Sequence, residues 1–267
     1  MLVAALLGVP LHKTDGDESL HKKLHPGQPA DEPSYQHQQE PATPHADISL
    51  SKSSDGSPPH ILMLMADDLG FVDTGFGGSP LMRTPFLDSL AAEATHLTQF
   101  RAPSWCAPSR ASFMTGRHEW EMGSWDASGT DKTNTTLFLP EMLRDAGYRT
   151  AIVGKFHFGV RDCKRNHTSG GPFGCGFDHQ YGFVGGQSDY YDHLSSWSRD
   201  GEELREKGYA TELFADEAVR LVKYHATHYK PQPLFMWLAV SAPHVPLQAR
   251  SPLVPPHTMT VTPAPRP

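Results

Sequence analysis

The sequence predicts an α/β fold, a mostly parallel sheet with helices on both faces. Two observations carry that prediction. Ile61–Ala66 and Leu234–Val240 are continuous apolar runs, as expected of strands covered on both sides, and Tyr148–Val153 is a third strand pattern. Helical patterns separate these strands, and such alternation favours parallel pairing through crossover helices. Each strand also stops abruptly in polar residues. That edge matters, because open parallel sheets bind ligands beyond the carboxyl ends of their strands.

The chain has 267 residues, a net charge of −7 and 38% hydrophobic content, enough for one sizeable domain or part of a larger one. Mild acidity without a Lys/Arg cluster argues against a nucleic-acid partner. No run of about twenty apolar residues is present, so no membrane span is expected. Leu2–Val9 is a short apolar run that reads as a weak or clipped signal segment, since no basic residue precedes it. The rest of residues 1–58 is rich in His, Pro, Asp, Ser and Gln and reads as a disordered leader, unable to bury enough apolar surface to offset its ordering entropy.

Residues 59–248 are expected to fold. The first strand ends in Asp67-Asp68-Leu69-Gly70, and adjacent carboxylates at a strand end are hard ligands suited to Ca²⁺ or Mg²⁺, or else a turn or helix cap. Thr84-Pro85 starts a helix through about Ala94, with Phe86, Leu87, Leu90, Ala91 and Ala94 on one face. His96–Phe100 is a weaker strand candidate. Leu139–Ala146 is a helix stopped by Gly147. The second strand runs into Gly154-Lys155-Phe156-His157, where alternation places Lys155 and His157 on one side, able to contact one anion. The aromatics of Tyr181-Gly182-Phe183 and Asp189-Tyr190-Tyr191-Asp192-His193 either cover the core or wall a pocket, with coverage favoured. Thr211 caps a long helix bearing Phe214, Ala218, Leu221, Val222 and His225 on one face. The third strand ends in Ser241-Ala242-Pro243-His244. Residues 249–267 form a Pro-rich divergent tail.

The chemistry concentrates in Trp105-Cys106-Ala107-Pro108-Ser109-Arg110 and the following Ala111–Arg117. Pro108 fits a first helical turn, and Gly116 can take the left-handed conformation that ends a helix. Cys106 then sits at a helix N-terminus, where free N–H groups and the dipole favour an anion. Arg110 adds a fixed charge one turn along. The alternative is an unpaired core cysteine. A Cys-phosphatase loop needs five residues between Cys and Arg, and only Ala107, Pro108 and Ser109 intervene.

Three cysteines leave Cys163 and Cys175 once Cys106 is set aside, and a disulfide closing that Gly- and Pro-rich loop would contribute up to roughly 3 kcal/mol. Asn134-Thr135-Thr136 and Asn166-His167-Thr168 are N-glycosylation acceptors. Together these favour a secretory route, ending lysosomal or extracellular, over the cytosol.

Cys106-Ala107-Pro108-Ser109-Arg110 with Thr115-Gly116-Arg117 resembles the sulfatase signature. The resemblance extends over Pro58–Gln248 through Asp67-Asp68, Gly154-Lys155-x-His157-x-Gly159 and Pro243-His244-x-Pro246-Leu247, and is nearest to arylsulfatase B-like members. It implies the alkaline-phosphatase/sulfatase-like fold and a sulfuric ester hydrolase acting on sulfate esters, including those of sulfated glycans. It implies Ca²⁺ held by Asp67, Asp68 and the modified Cys106. It implies that Cys106 is oxidised to formylglycine by the formylglycine-generating enzyme. Arg110 and Lys155 would hold the formylglycine and the sulfate, His157 would act as base, and His244 would bind the ester and assist the leaving oxygen.

The family's further metal ligands and a second sulfate-binding Lys come from a later segment, so the fold is expected to be incomplete at its C-terminus and the chain weakly active or inactive. Two rival readings are a non-catalytic binder of sulfate esters and a related phosphohydrolase. The cysteine argues against the latter, whose members usually place Ser or Thr as nucleophile.

Overall fold

A computed structural model describes residues 56–122, 137–157, 171–193 and 197–249. The last apolar run forms the middle of its sheet. Strands β1 (Ile61–Asp67), β2 (Arg149–Lys155), β3 (His179–Phe183), β4 (Trp197–Arg199), β5 (Glu202–Glu203) and β6 (Leu234–Pro243) lie in the order β1-β6-β2-β3-β4-β5. β1, β6, β2 and β3 are mutually parallel, while β3–β4 and β4–β5 are antiparallel. The sheet is therefore mostly parallel, with an antiparallel edge that local composition did not announce.

Helices cover both faces, and strict alternation along the central strands divides the core. Met63, Met65, Ile152, Phe235, Trp237 and Ala239 face one side, where they meet Met114 of α2 (Cys106–Thr115) and Leu143 of α4 (Leu139–Asp145). Ala151, Val153, Leu234 and Met236 face the other, against Leu213, Phe214 and Ala218 of α5 (Ala210–His228). Tyr181, Phe183, Tyr190 and Trp197 are buried in this second layer, so these aromatics cover the core as expected. A four-residue turn of helix, α3 (Glu119–Met122), follows α2.

Several local expectations change. α1 (Pro85–Ala92) ends two residues early. It buries none of its residues fully: Leu87, Leu90 and Ala91 are half-buried, and Phe86 is 89% exposed. His96–Phe100 is not a strand. It has no ladder partner, and a turn closed by the Phe100 N–H on the Leu97 carbonyl at 3.2 Å takes its place. Thr211 does not cap α5. The N-cap is Tyr209, with no side-chain cap, and Thr211 lies within the first turn. β2 runs on through Gly154 and Lys155. Gly154 has φ +111°, and a Cβ there would meet the Ala239 carbonyl oxygen of β6, so only glycine permits that close approach.

Two expected helix ends hold. α2 stops at Gly116 in the left-handed conformation (φ +67°), and α4 gives way to Gly147 (φ +91°) just before β2. No helix among the described residues is long and apolar enough to cross a membrane. Asn134, Asn166 and Cys163 lie outside the described residues. Cys175 is fully buried and disulfide-bonded.

Candidate active site

Three neighbouring parallel strands end at one edge, and each delivers a polar side chain there. Asp67 closes β1, Lys155 closes β2, and His244 directly follows β6. Between Met65 and Asp67 the β1–β6 register shifts, so that Asp67 pairs with Pro243. Such an irregularity re-aims a side chain. Asp68 follows with φ +61°, and His157 has φ +49°. Non-glycine residues in that region carry of order 1–3 kcal/mol of strain, which tends to collect at functional sites.

Asp67 is the centre of the cluster. Its Oδ2 receives Lys155 Nζ at 2.5 Å, and its Oδ1 faces Arg110 Nη2 at 3.2 Å. All three side chains are buried. Arg110 Nη1 also donates to the Lys155 carbonyl at 2.6 Å, which ties α2 to the end of β2. Burial pushes the Asp67 carboxyl up, but Arg110 and Lys155 outweigh it and hold the group below the usual carboxylate range. Burial lowers the Arg110 pKa against the pull of Asp67. Arg110 Nε is buried without a hydrogen-bond partner among the described residues.

Cys106, the first residue of α2, is half-buried and free. It lies close enough to Arg110 that its charge would raise the arginine's pKa, as Asp68 also does. Asp68 is 63% exposed on its side chain and faces His244 Nε2 at 3.7 Å. His157 is pushed down to about 4 by burial first, then by Lys155 and Arg110, with His244 adding to the effect. Its Nδ1 is buried without a partner among the described residues. Burial and the neighbouring cations thus hold the imidazole neutral at neutral and mildly acidic pH, with Nδ1 left as an unpaired buried nitrogen among the described residues. Beside it lies Gly186, where a Cβ would sit 2.6 Å from His157 Nε2. In the sequence this glycine carries one signal, the Gly185-Gly186 pair after β3.

Cys106, Arg110, Lys155, His157, His244, Asp67 and Asp68 therefore share one edge of the sheet. Their arrangement suits a compact tetrahedral anion: buried cations, a neutral imidazole and the helix N-terminus that carries Cys106 lie together. It suits a divalent cation poorly. Both oxygens of Asp67 are already engaged by cations, and no group of three His, Cys, Asp or Glu side chains among the described residues converges on one point. Ca²⁺ takes six to eight oxygen ligands. These residues alone do not form a calcium cage.

Residues 59–262 match the Sulfatase family. The chain belongs to the sulfatase family. Among curated sulfatases it is similar to arylsulfatase J of Mus musculus, 34% identical over 212 residues, covering 72% of this chain and 34% of that protein. It is also similar to N-acetylgalactosamine-6-sulfatase of Homo sapiens, 31% identical over 234 residues, covering 77% of this chain and 43% of that protein. The crystal structure of Ps i-CgsB in complex with k-i-k-neocarrahexaose has a TM-score of 0.59 at 29% identity, covering 72% of this chain and 46% of that one. A solved protein in complex with its substrate D-glucosamine-2-N,6-O-disulfate has a TM-score of 0.58 at 31% identity, covering 70% of this chain and 35% of that one. This sulfatase chain thus spans less than half the length of these relatives.

Proposed function

We propose that this chain carries the nucleophile-bearing and sulfate-binding part of a sulfuric ester hydrolase of the arylsulfatase type. The observation that carries the reading is the convergence of Cys106, Arg110 and the Asp67–Lys155 pair at one sheet edge, beside a histidine held neutral. Cys106 is free, half-buried and next to a charged donor, a setting that fits formylglycine in its place. When formed, that group supplies an aldehyde hydrate oxygen able to attack sulfur. Arg110 and Lys155 hold the negative oxygens of the sulfate and stabilise charge without reorganising. His157 takes up a proton on its imidazole, and His244 binds the ester oxygen at the rim and donates toward the leaving group. Asp67 keeps both cations aimed.

The substrate class is a sulfate ester, including those of sulfated glycans. The glycan-bound and sugar-sulfate-bound relatives support that choice. Asn134 and Asn166 as glycan acceptors, and a Cys163–Cys175 disulfide, fit a lysosomal or extracellular destination. The modifying partner is then the formylglycine-generating enzyme.

A non-catalytic sulfate binder is the second reading, favoured by Asp67 being committed to two cations rather than to a metal. Mass spectrometry of the Cys106 peptide from chain expressed through a secretory pathway separates the two. A mass lower than cysteine's by the change from thiol to aldehyde supports the hydrolase. Unmodified thiol, together with sulfate binding, supports the binder.

A further inference from the structure

The turn at Asp189–Asp192 grips the segment that carries His244. Gln248 Nε2 donates to Asp189 Oδ2 at 2.7 Å, and the Tyr190 N–H donates to Gln248 Oε1 at 2.8 Å, so one amide is held at both ends by consecutive residues. The Tyr190 hydroxyl donates to the His244 carbonyl at 2.9 Å. The Tyr191 hydroxyl reaches the Ala249 carbonyl at 3.2 Å, and the Tyr209 hydroxyl the Gln248 carbonyl at 3.0 Å.

The gripping turn is itself stiff. Asp189 Oδ1 accepts the N–H groups of Tyr191 and Asp192, each at 2.8 Å. Tyr190 and Tyr191 pack on Tyr209 with ring centroids 5.6 and 5.3 Å apart, and the Ala210 N–H that opens α5 donates to the Tyr190 carbonyl at 2.8 Å.

The gripped segment needs this support. Past Pro243 it has left the sheet, and Val245 and Leu247 are 52% and 83% exposed. Its own bonds are local: the His244 N–H to the Ser241 carbonyl, and His244 Nδ1 with the Val245 carbonyl. A short exposed segment held only so would sample many positions, and its imidazole with it.

We propose that Asp189, Tyr190 and Gln248 form a clamp that positions His244 at the rim of the Cys106 site, acting on sulfate recognition through His244 rather than by touching the anion. The proposal rests on the reading of that edge as a sulfate site. It makes Gln248 a positioning residue and gives the Asp189-Tyr190 pair a role beyond covering the core.

The test uses the full 267-residue chain, with inorganic sulfate as probe and hydrogen–deuterium exchange of the 244–249 segment as a second readout. Gln248→Ala is expected to raise exchange of the His244 amide, which donates to the Ser241 carbonyl, about tenfold and to weaken sulfate binding about fivefold, with exchange in α5 and β2 unchanged. Gln248→Glu sets a carboxylate against Asp189 and should do the same. Adding Asp189→Asn to Gln248→Glu exchanges donor for acceptor and should restore both readouts, which a loss of bulk packing would not. Tyr190→Phe keeps the ring stack and loses one bond, so a smaller rise in exchange is expected. Unchanged exchange in Gln248→Ala, no rescue by the pair, or raised exchange with unaltered sulfate affinity would each overturn the proposal. If the unaltered chain does not bind sulfate, the functional reading fails instead, and the exchange measurements alone decide whether the clamp exists.

Discussion

Lys155 reaches the carboxylate of Asp67 at 2.5 Å although β6 runs between the strands that carry them. The ammonium thus bridges two strands that do not pair, over the end of the strand that separates them. With Arg110 on the other oxygen, the site holds two buried cations on one buried anion.

Removing that anion should be costly. Asp67→Asn leaves Lys155 and Arg110 without compensation, and losing one partner of a buried ion pair typically costs about 3–5 kcal/mol. Chemical unfolding should show a loss of that size. Lys155→Met leaves Arg110 on Asp67 and should cost less. Equal stability of Asp67→Asn and the unaltered chain would mean that the cations relax into solvent.

The His157 imidazole should titrate near 4. Because its folded pKa lies below the unfolded value, the unfolded chain binds more protons between about pH 6.5 and 4, and His157 makes stability fall as pH falls through that window. Histidine-selective NMR titration measures the value directly. Lys155→Met removes a neighbouring positive charge and should move it upward; an unmoved value would show that Lys155 is not among the causes of the shift.

A second histidine works in the opposite direction. His179 is buried between Asp200, at 2.9 Å from Nδ1, and Glu217, at 3.0 Å from Nε2. Burial lowers its pKa, but those two carboxylates outweigh burial and raise it above 6.5. Arg199 and Arg220 flank the same Glu217, whose carboxyl is held well below its usual range: burial raises it, and the bonds from Arg220 and His179 outweigh that. The His179 contribution is therefore fully present below about pH 6.5 and is lost as pH rises through the raised folded value. His179→Gln should flatten that alkaline decline in a series of melts. A decline of the same slope in the variant would place its cause elsewhere.

Gly186→Ala should act on the site more than on the fold. The added Cβ would fall 2.6 Å from His157 Nε2, so the ring must move. A drop in sulfate affinity of about tenfold with a melting temperature within a few degrees is the expected outcome. Unaltered affinity would show that the ring has room to turn.

The sheet's parallel centre was legible because Ile61–Ala66 and Leu234–Val240 are covered on both faces and therefore read as unbroken apolar runs. The polar ends of those runs were legible for the same reason: an abrupt change in composition is a local signal. β3 was not. His179 and Gln180 are polar yet buried, because Asp200, Glu217 and Ser198, distant in sequence, supply their hydrogen bonds. The double engagement of Asp67 and the gripping of Gln248 are likewise contacts between distant segments, and nothing in either residue's neighbourhood encodes them. α1 misled because its apolar stripe is real, yet Phe86 at its start remains exposed.

The central place of β6 sets an order on synthesis. Residues 234–243 leave the ribosome long after β1 and β2, yet those two strands join only through them. Until that late stretch arrives, the nascent polypeptide carries two open strand borders and a cysteine-bearing helix with no finished platform beneath it. Ribosome-tethered chains cut before β6 and after β6, each followed by a linker long enough to clear the exit tunnel and probed with a protease, should show the shorter one digestible and the longer one protected.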